Sequence, residues 1–122
     1  VDTNILVAAQ RQDIAVINQL TIINTLLSVI VLGELYFGAR NSANVEVNIA
    51  SIDKLTKQYP LLDCDHATAS YYALIKRSLR VKGNPIPEND IWIAAISMQH
   101  NLILITRDEH FEGVEGLMTE KW

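Results

Sequence analysis

Asp90 stands at the head of the run Ile91 to Met98, in which Ser97 is the one polar interruption. Asn89 reads as an N-cap and Pro87 bars helix upstream, so the helix starting here should be buried on most sides. An ionised carboxylate at such an edge is costly unless a helix N-terminus, a donor or a cation compensates it. Three further acids share that setting. Asp2 precedes Ile5 to Ala9; Glu34 lies within Leu27 to Leu35 with no basic residue within five positions; Asp108 closes the run Leu102 to Thr106 and Arg107. Carboxylates gathered within about 4–6 Å raise one another's pKa, so an apolar cluster of four needs cations to stay ionised near neutrality. With no cysteine or histidine in these motifs, the donors are all oxygen and favour Mg²⁺ or Mn²⁺ over zinc. Such ions activate a water and stabilise the charge that develops on a phosphodiester during in-line displacement.

The elements around these acids must bring them together. Val1-Asp2 reads as the end of a strand, with Thr3 or Asn4 capping a helix from about Ile5 that restarts near Asp13 and runs through Leu20. Leu26 to Val29 reads as a short buried strand and Val31 to Arg40 as a helix carrying Glu34, in which Gly33 and Gly38 would let another backbone approach. Val45, Ile49, Ile52 and Leu55 give Asn44 to Gln58 a helical period, ended by Pro60. Leu61-Leu62 is a brief strand, and Asp65 caps a helix from His66 to about Val81. After the Asp90 helix, ended by His100-Asn101, come strands at Leu102 to Thr106 and Leu117 to Lys121. Strands alternating with helices imply a mainly parallel sheet covered on both faces, with ligands gathered beyond the carboxyl ends of the strands. Asp2 and Asp108 fall at that end, Glu34 follows a strand and Asp90 begins a helix, so one pocket could hold all four.

Composition agrees with this and adds limits. The 122 residues are 49% apolar and 20% charged, without repeats or low-complexity tracts. That is one domain, residues 1–122, able to bury roughly two-thirds of its unfolded surface. The longest apolar stretch, Leu26 to Leu32, is far short of a membrane span, and no signal peptide pattern opens the chain. A lone cysteine, Cys64, rules out an internal disulfide, so the expected setting is the cytoplasm. The net charge of −4 does not argue against a nucleic-acid partner, because a bound metal offsets clustered acids.

The chain resembles PIN-domain ribonucleases, specifically the VapC-like toxins of bacterial toxin–antitoxin pairs. The resemblance rests on Asp2-Thr3-Asn4 with Ile5-Leu6, Ser28-Val29 through Gly33-Glu34-Leu35 with Gly38-Ala39, Asn89-Asp90 with Ile93-Ala94-Ala95, and Thr106-Arg107-Asp108 with Phe111. Each piece is weak singly; their order and spacing along one chain make the signal. The resemblance implies a three-layer α/β/α domain with a central mainly parallel sheet, and it places Asp2, Glu34, Asp90 and Asp108 on the family's acidic metal-binding, catalytic positions. Thr106 falls on its neighbouring hydroxyl position. It further implies hydrolysis of RNA, transfer or ribosomal, with Mg²⁺ or Mn²⁺, a homodimer, and inhibition by a cognate antitoxin. The family has several apolar strand residues ahead of the first aspartate, so the first strand is expected to be shortened here.

Competing readings attach to particular residues. Arg40 and Arg107 flank the acidic motifs, where they would contact RNA; Lys76, Arg77, Arg80 and Lys82 read as a solvated helix face, with phosphate contact as the alternative. Asp53, Asp63, Glu46, Glu112 and Glu115 read as solvation. Cys64-Asp65-His66 lacks the ligands of a tetrahedral zinc site, and His100 and His110 read as surface or capping residues. Tyr71, Tyr72 and the apolar residues of 44–81 are either core or a groove for a partner's helix. A phosphoacceptor receiver domain has similar length and an acidic Mg²⁺ pocket, but it wants paired acids after strand one and a lysine near the pocket, against Asp2-Thr3 and Lys121 here. A non-catalytic RNA- or protein-binding module on the same scaffold is the other alternative.

Overall fold

The computed structural model describes residues 1–17 and 26–122. In chain order the elements are α1 (Thr3–Gln10), β1 (Leu27–Ser28), α2 (Val29–Arg40), α3 (Val45–Gln58), β2 (Leu61–Leu62), α4 (His66–Val81), α5 (Glu88–Gln99), β3 (Ile103–Ile105), a 3₁₀ turn (Glu109–Gly113) and β4 (Met118–Glu120). Residues 14–17 are also helical; the rest of that expected helix, to Leu20, lies outside the described residues.

The strands form two parallel pairs, β1 with β2 and β3 with β4. The segment Val1-Asp2 joins them. Its terminal amino group donates to the Leu26 carbonyl and the Asp2 N–H donates to the Ile105 carbonyl. The order is therefore β2, β1, Val1-Asp2, β3, β4, and the opening segment works as a strand end although it has no regular strand of its own. Leu104 and Ile105 show that both faces are covered, because successive strand residues point to opposite sides. Leu104 joins the large cluster with Leu27, Val31, Ile52, Ile75, Ile91 and Phe111. Ile105 joins a smaller one with Ile5 of α1 and Val16.

Local signals set most helix ends. Asp65 begins α4 through a reciprocal capping box with Thr68, and Asn101, at φ 54°, takes the left-handed position that follows α5. Two expected caps are corrected. Asp2, not Thr3 or Asn4, caps α1 by accepting from the Thr3 N–H. α5 starts one residue before Asn89: Pro87 is its cap and no side chain closes it, since proline's ring carries no hydrogen-bond acceptor. Asp90 thereby sits in the first turn, where the helix dipole favours negative charge.

Tyr71 and Tyr72 are half-buried against the large cluster, and Tyr72 stacks on Trp92 with centroids 4.0 Å apart, so these tyrosines belong to the core rather than to an open groove. A Cβ at Gly33 or Gly38 would meet nothing within 4 Å, so within this chain neither glycine makes room for a close backbone approach.

Candidate metal centre

Thr106 is the joint of the site. Its hydroxyl donates to Asp2 Oδ2 at 2.8 Å and accepts the Asp108 N–H at 3.0 Å, so the first and last acids of the chain are fixed through one buried oxygen. Asp2 Oδ1 accepts from the Thr3 N–H at 2.8 Å, leaving its carboxylate held at both oxygens. Thr3 in turn donates its hydroxyl to Glu34 Oε1 at 2.8 Å, tying α2 to α1. Asp90 arrives from the first turn of α5. The four acids line one cleft of about 600 Å³, together with Thr3, Val7, Ala8, Arg11, Asp13 and Arg107.

The electrostatics follow from burial. Asp2 and Asp90 are 5% and 9% exposed. Burial pushes the Asp2 carboxyl above its ordinary range, partly offset by the hydrogen bonds from Thr106 and Thr3. Asp90 is pushed up to about 6, first by burial and then by the charge of Asp2, with Asp108 and Glu34 adding to it and the His110 hydrogen bond opposing. Asp90 thus senses the charge of the other three acids.

His110 was not among the expected site residues. Its Nδ1 lies 3.1 Å from Asp108 Oδ1 and 3.4 Å from Asp90 Oδ2, and Asp90, Asp108 and His110 each place a ligand atom within 4.8 Å of the others. An imidazole nitrogen therefore stands beside the carboxylate oxygens. Clustered, desolvated carboxylates, one with its pKa near 6, are a poor fit to an empty cleft and a good fit to a divalent cation.

A family model for the PIN domain matches residues 1–117. The chain belongs to the PIN-domain family. Ribonuclease VapC2 of Haemophilus influenzae (strain ATCC 51907) is 39% identical over 97 residues, covering 79% of this chain and 74% of that one. The tRNA(fMet)-specific endonuclease VapC of Shigella flexneri is 35% identical over 97 residues with the same two shares. Among solved structures, VapBC2 from Rickettsia felis, bound to a DNA fragment from its promoter, superposes with a TM-score of 0.94 at 28% identity, covering 99% of this chain and 96% of that one. DNA-bound VapBC from Salmonella typhimurium gives 0.93 at 26%, covering 99% and 95%. Within the PIN domains, the sequence relatives are VapC ribonucleases.

The remaining expected residues divide. Arg107 reaches this PIN domain's cleft, where it donates to Asp13 Oδ2 at 2.9 Å and to the Trp122 carbonyl at 2.7 Å. Arg40 does not line the cleft: six residues beyond Glu34 on one helix is a rise of about 9 Å and a turn of roughly 240°. Arg11 does line it and had no motif to point to it. His110 had a faint signal, its place two residues after Asp108. Asp65 is taken by its cap and by Gln99. Asp53, Asp63, Glu46, Glu112 and Glu115 are exposed, as are Arg77 and Arg80, while Lys76 and Lys82 pair with Glu88 and Glu115 on the surface.

The Thr106 joint can be tested apart from activity. Thr106→Val keeps the shape and removes the hydroxyl, leaving a buried Asp2 oxygen without its donor. The expected loss is about 1–3 kcal/mol in metal-free urea unfolding at pH 7. Unchanged stability would mean that the oxygen is satisfied some other way.

Proposed function

We propose that this chain is a metal-dependent endoribonuclease, the toxin of a toxin–antitoxin pair, with Asp2, Glu34, Asp90 and Asp108 as its metal-binding, catalytic acids. The observation that carries the reading is the convergence of these four carboxylates, from four separate stretches, on one cleft. The names of the VapC relatives support RNA as substrate, transfer or ribosomal RNA being the classes to try first.

Asp2 and Glu34 are pre-oriented by Thr106 and Thr3, so their oxygens need little rearrangement to receive a cation. Asp90 and Asp108 offer the other donors. A bound Mg²⁺ or Mn²⁺ supplies an activated water and stabilises charge on the scissile phosphate. Arg11 puts positive charge on the wall of the same cleft, where a phosphate backbone would lie, and Arg107, paired there with Asp13, would exchange that partner for a phosphate; Arg40, on another face of α2, would touch RNA only beyond the cleft. The active unit is one domain, residues 1–122, placed in the cytoplasm as a homodimer.

An antitoxin partner is supported by the solved relatives, which are VapBC pairs. Phe37 on α2 and Val47 on α3, 70% and 69% exposed, give it apolar surface to cover. A receiver domain is not favoured, because no lysine is among the described residues that line the site.

Transfer and ribosomal RNA incubated with the protein in Mn²⁺ or Mg²⁺ should be cut at discrete positions, and a chelator should stop the cutting. Cleavage that continues at the same rate in excess chelator, or RNA left whole in both metals, removes the reading.

A further inference from the structure

We infer that His110 is itself a metal ligand, through Nδ1, and that it tilts the site toward Mn²⁺ over Mg²⁺. The inference rests on the metal-dependent reading above and goes beyond the four acids. Adjacent ligands on a six-coordinate ion with bonds of about 2.1 Å stand roughly 3.0 Å apart. His110 Nδ1 is 3.1 Å from Asp108 Oδ1 and 3.4 Å from Asp90 Oδ2, close to two edges of such a polyhedron. The three ligand atoms all lie within 4.8 Å of one another, against about 4.2 Å across such a polyhedron, so a small side-chain rotation gathers them on one ion.

The local chain explains why the ring is there. Asp108 caps the 3₁₀ turn by accepting the His110 N–H at 2.9 Å, which fixes the backbone of His110 against the acid it accompanies. Phe111, 1% exposed, anchors the same turn in the core. The histidine side chain is 53% exposed, so its other nitrogen can keep a water partner while Nδ1 faces the acids. Mg²⁺ prefers oxygen and retains several waters; Mn²⁺, although the weakest-binding of the first-row divalent ions and itself at home among oxygens, takes an imidazole more readily than Mg²⁺ does. A site with one nitrogen among oxygens therefore gains more from Mn²⁺ than from Mg²⁺.

The test uses the whole chain and the metals alone. Mn²⁺ bound to the wild type should show imidazole-nitrogen coupling in its electron spin echo, and His110→Ala should lose that coupling. Mn²⁺ affinity by calorimetry should fall at least about tenfold, the scale seen when even an outer-sphere partner is lost, with a smaller change for Mg²⁺. His110→Asp, which restores a donor as oxygen, should recover binding without the coupling and shift the preference toward Mg²⁺. Mn²⁺ bound without nitrogen coupling in the wild type, coupling that survives in His110→Ala, or equal losses for both metals would each overturn the assignment. If the wild type binds Mn²⁺ without that coupling and Asp90→Asn abolishes the binding, His110 is excluded while the carboxylate site stands; no uptake of either metal sinks both.

Discussion

Asp90→Asn is expected to lower RNA cleavage by roughly 10²- to 10³-fold, the equivalent of the several kcal/mol that a positioned metal supplies, while the metal-free protein stays folded and becomes more stable at pH 7. The second half of that expectation separates a catalytic acid from a structural one. The folded-state pKa of Asp90 is raised from 3.8 to about 6, so the native state holds its proton more tightly than the unfolded chain does. Its contribution to stability is thus fully present below pH 3.8 and is lost as pH rises through about 6. That displacement corresponds to at most about 3 kcal/mol.

Without metal, wild-type stability should therefore fall between pH 4 and pH 7 by up to that amount from this group, and the asparagine variant should lack that part of the slope. Mn²⁺ should restore the wild type at pH 7 by mass action, about 2.7 kcal/mol at a hundredfold excess over Kd, and do little for the variant. Denaturation curves at the two pH values, with and without Mn²⁺, read all of this. A variant that cuts RNA at the wild-type rate removes Asp90 from the chemistry.

Phe111→Ala should cost about 3–5 kcal/mol, the usual range for deleting a buried phenyl group. Phe111 is enclosed in the large core cluster, whereas Glu109, His110 and Glu112 around it are exposed. It is the apolar peg of a five-residue turn whose other ties are Asp108's cap and a few backbone bonds. A domain of this size has about 5–15 kcal/mol in all, so the loss is a large share of it and should lower the melting temperature by more than about 10 °C. Asp108 and His110 ride on this turn, so metal affinity should fall as well. Phe111→Leu, which keeps most of the volume, should recover most of the stability. If alanine costs under about 1 kcal/mol, the turn is held by something other than this side chain.

The sequence by itself determined the parts that near neighbours decide. The period of Val45, Ile49, Ile52 and Leu55, the Asp65 cap and the apolar run behind Asp90 each specify an element from within a few positions, and the helices at 45–58 and 66–81 formed where that pattern put them. The four acids were legible for the same reason: each carboxylate beside an apolar run implied a compensating partner. Which partner it finds was decided only by the tertiary structure. Thr106 meets Asp2 across 104 positions, Thr3 meets Glu34 across 31, and His110 meets Asp90 across 20. The place of His110 two residues after Asp108 is too faint a local signal to set it apart from a surface histidine, and nothing local says that Arg11 faces the cleft while Arg40 turns away. Those outcomes depend on where sheet order and helix packing carry each backbone, and hydrogen bonds of about 3 Å leave no tolerance for inferring them from spacing along the chain.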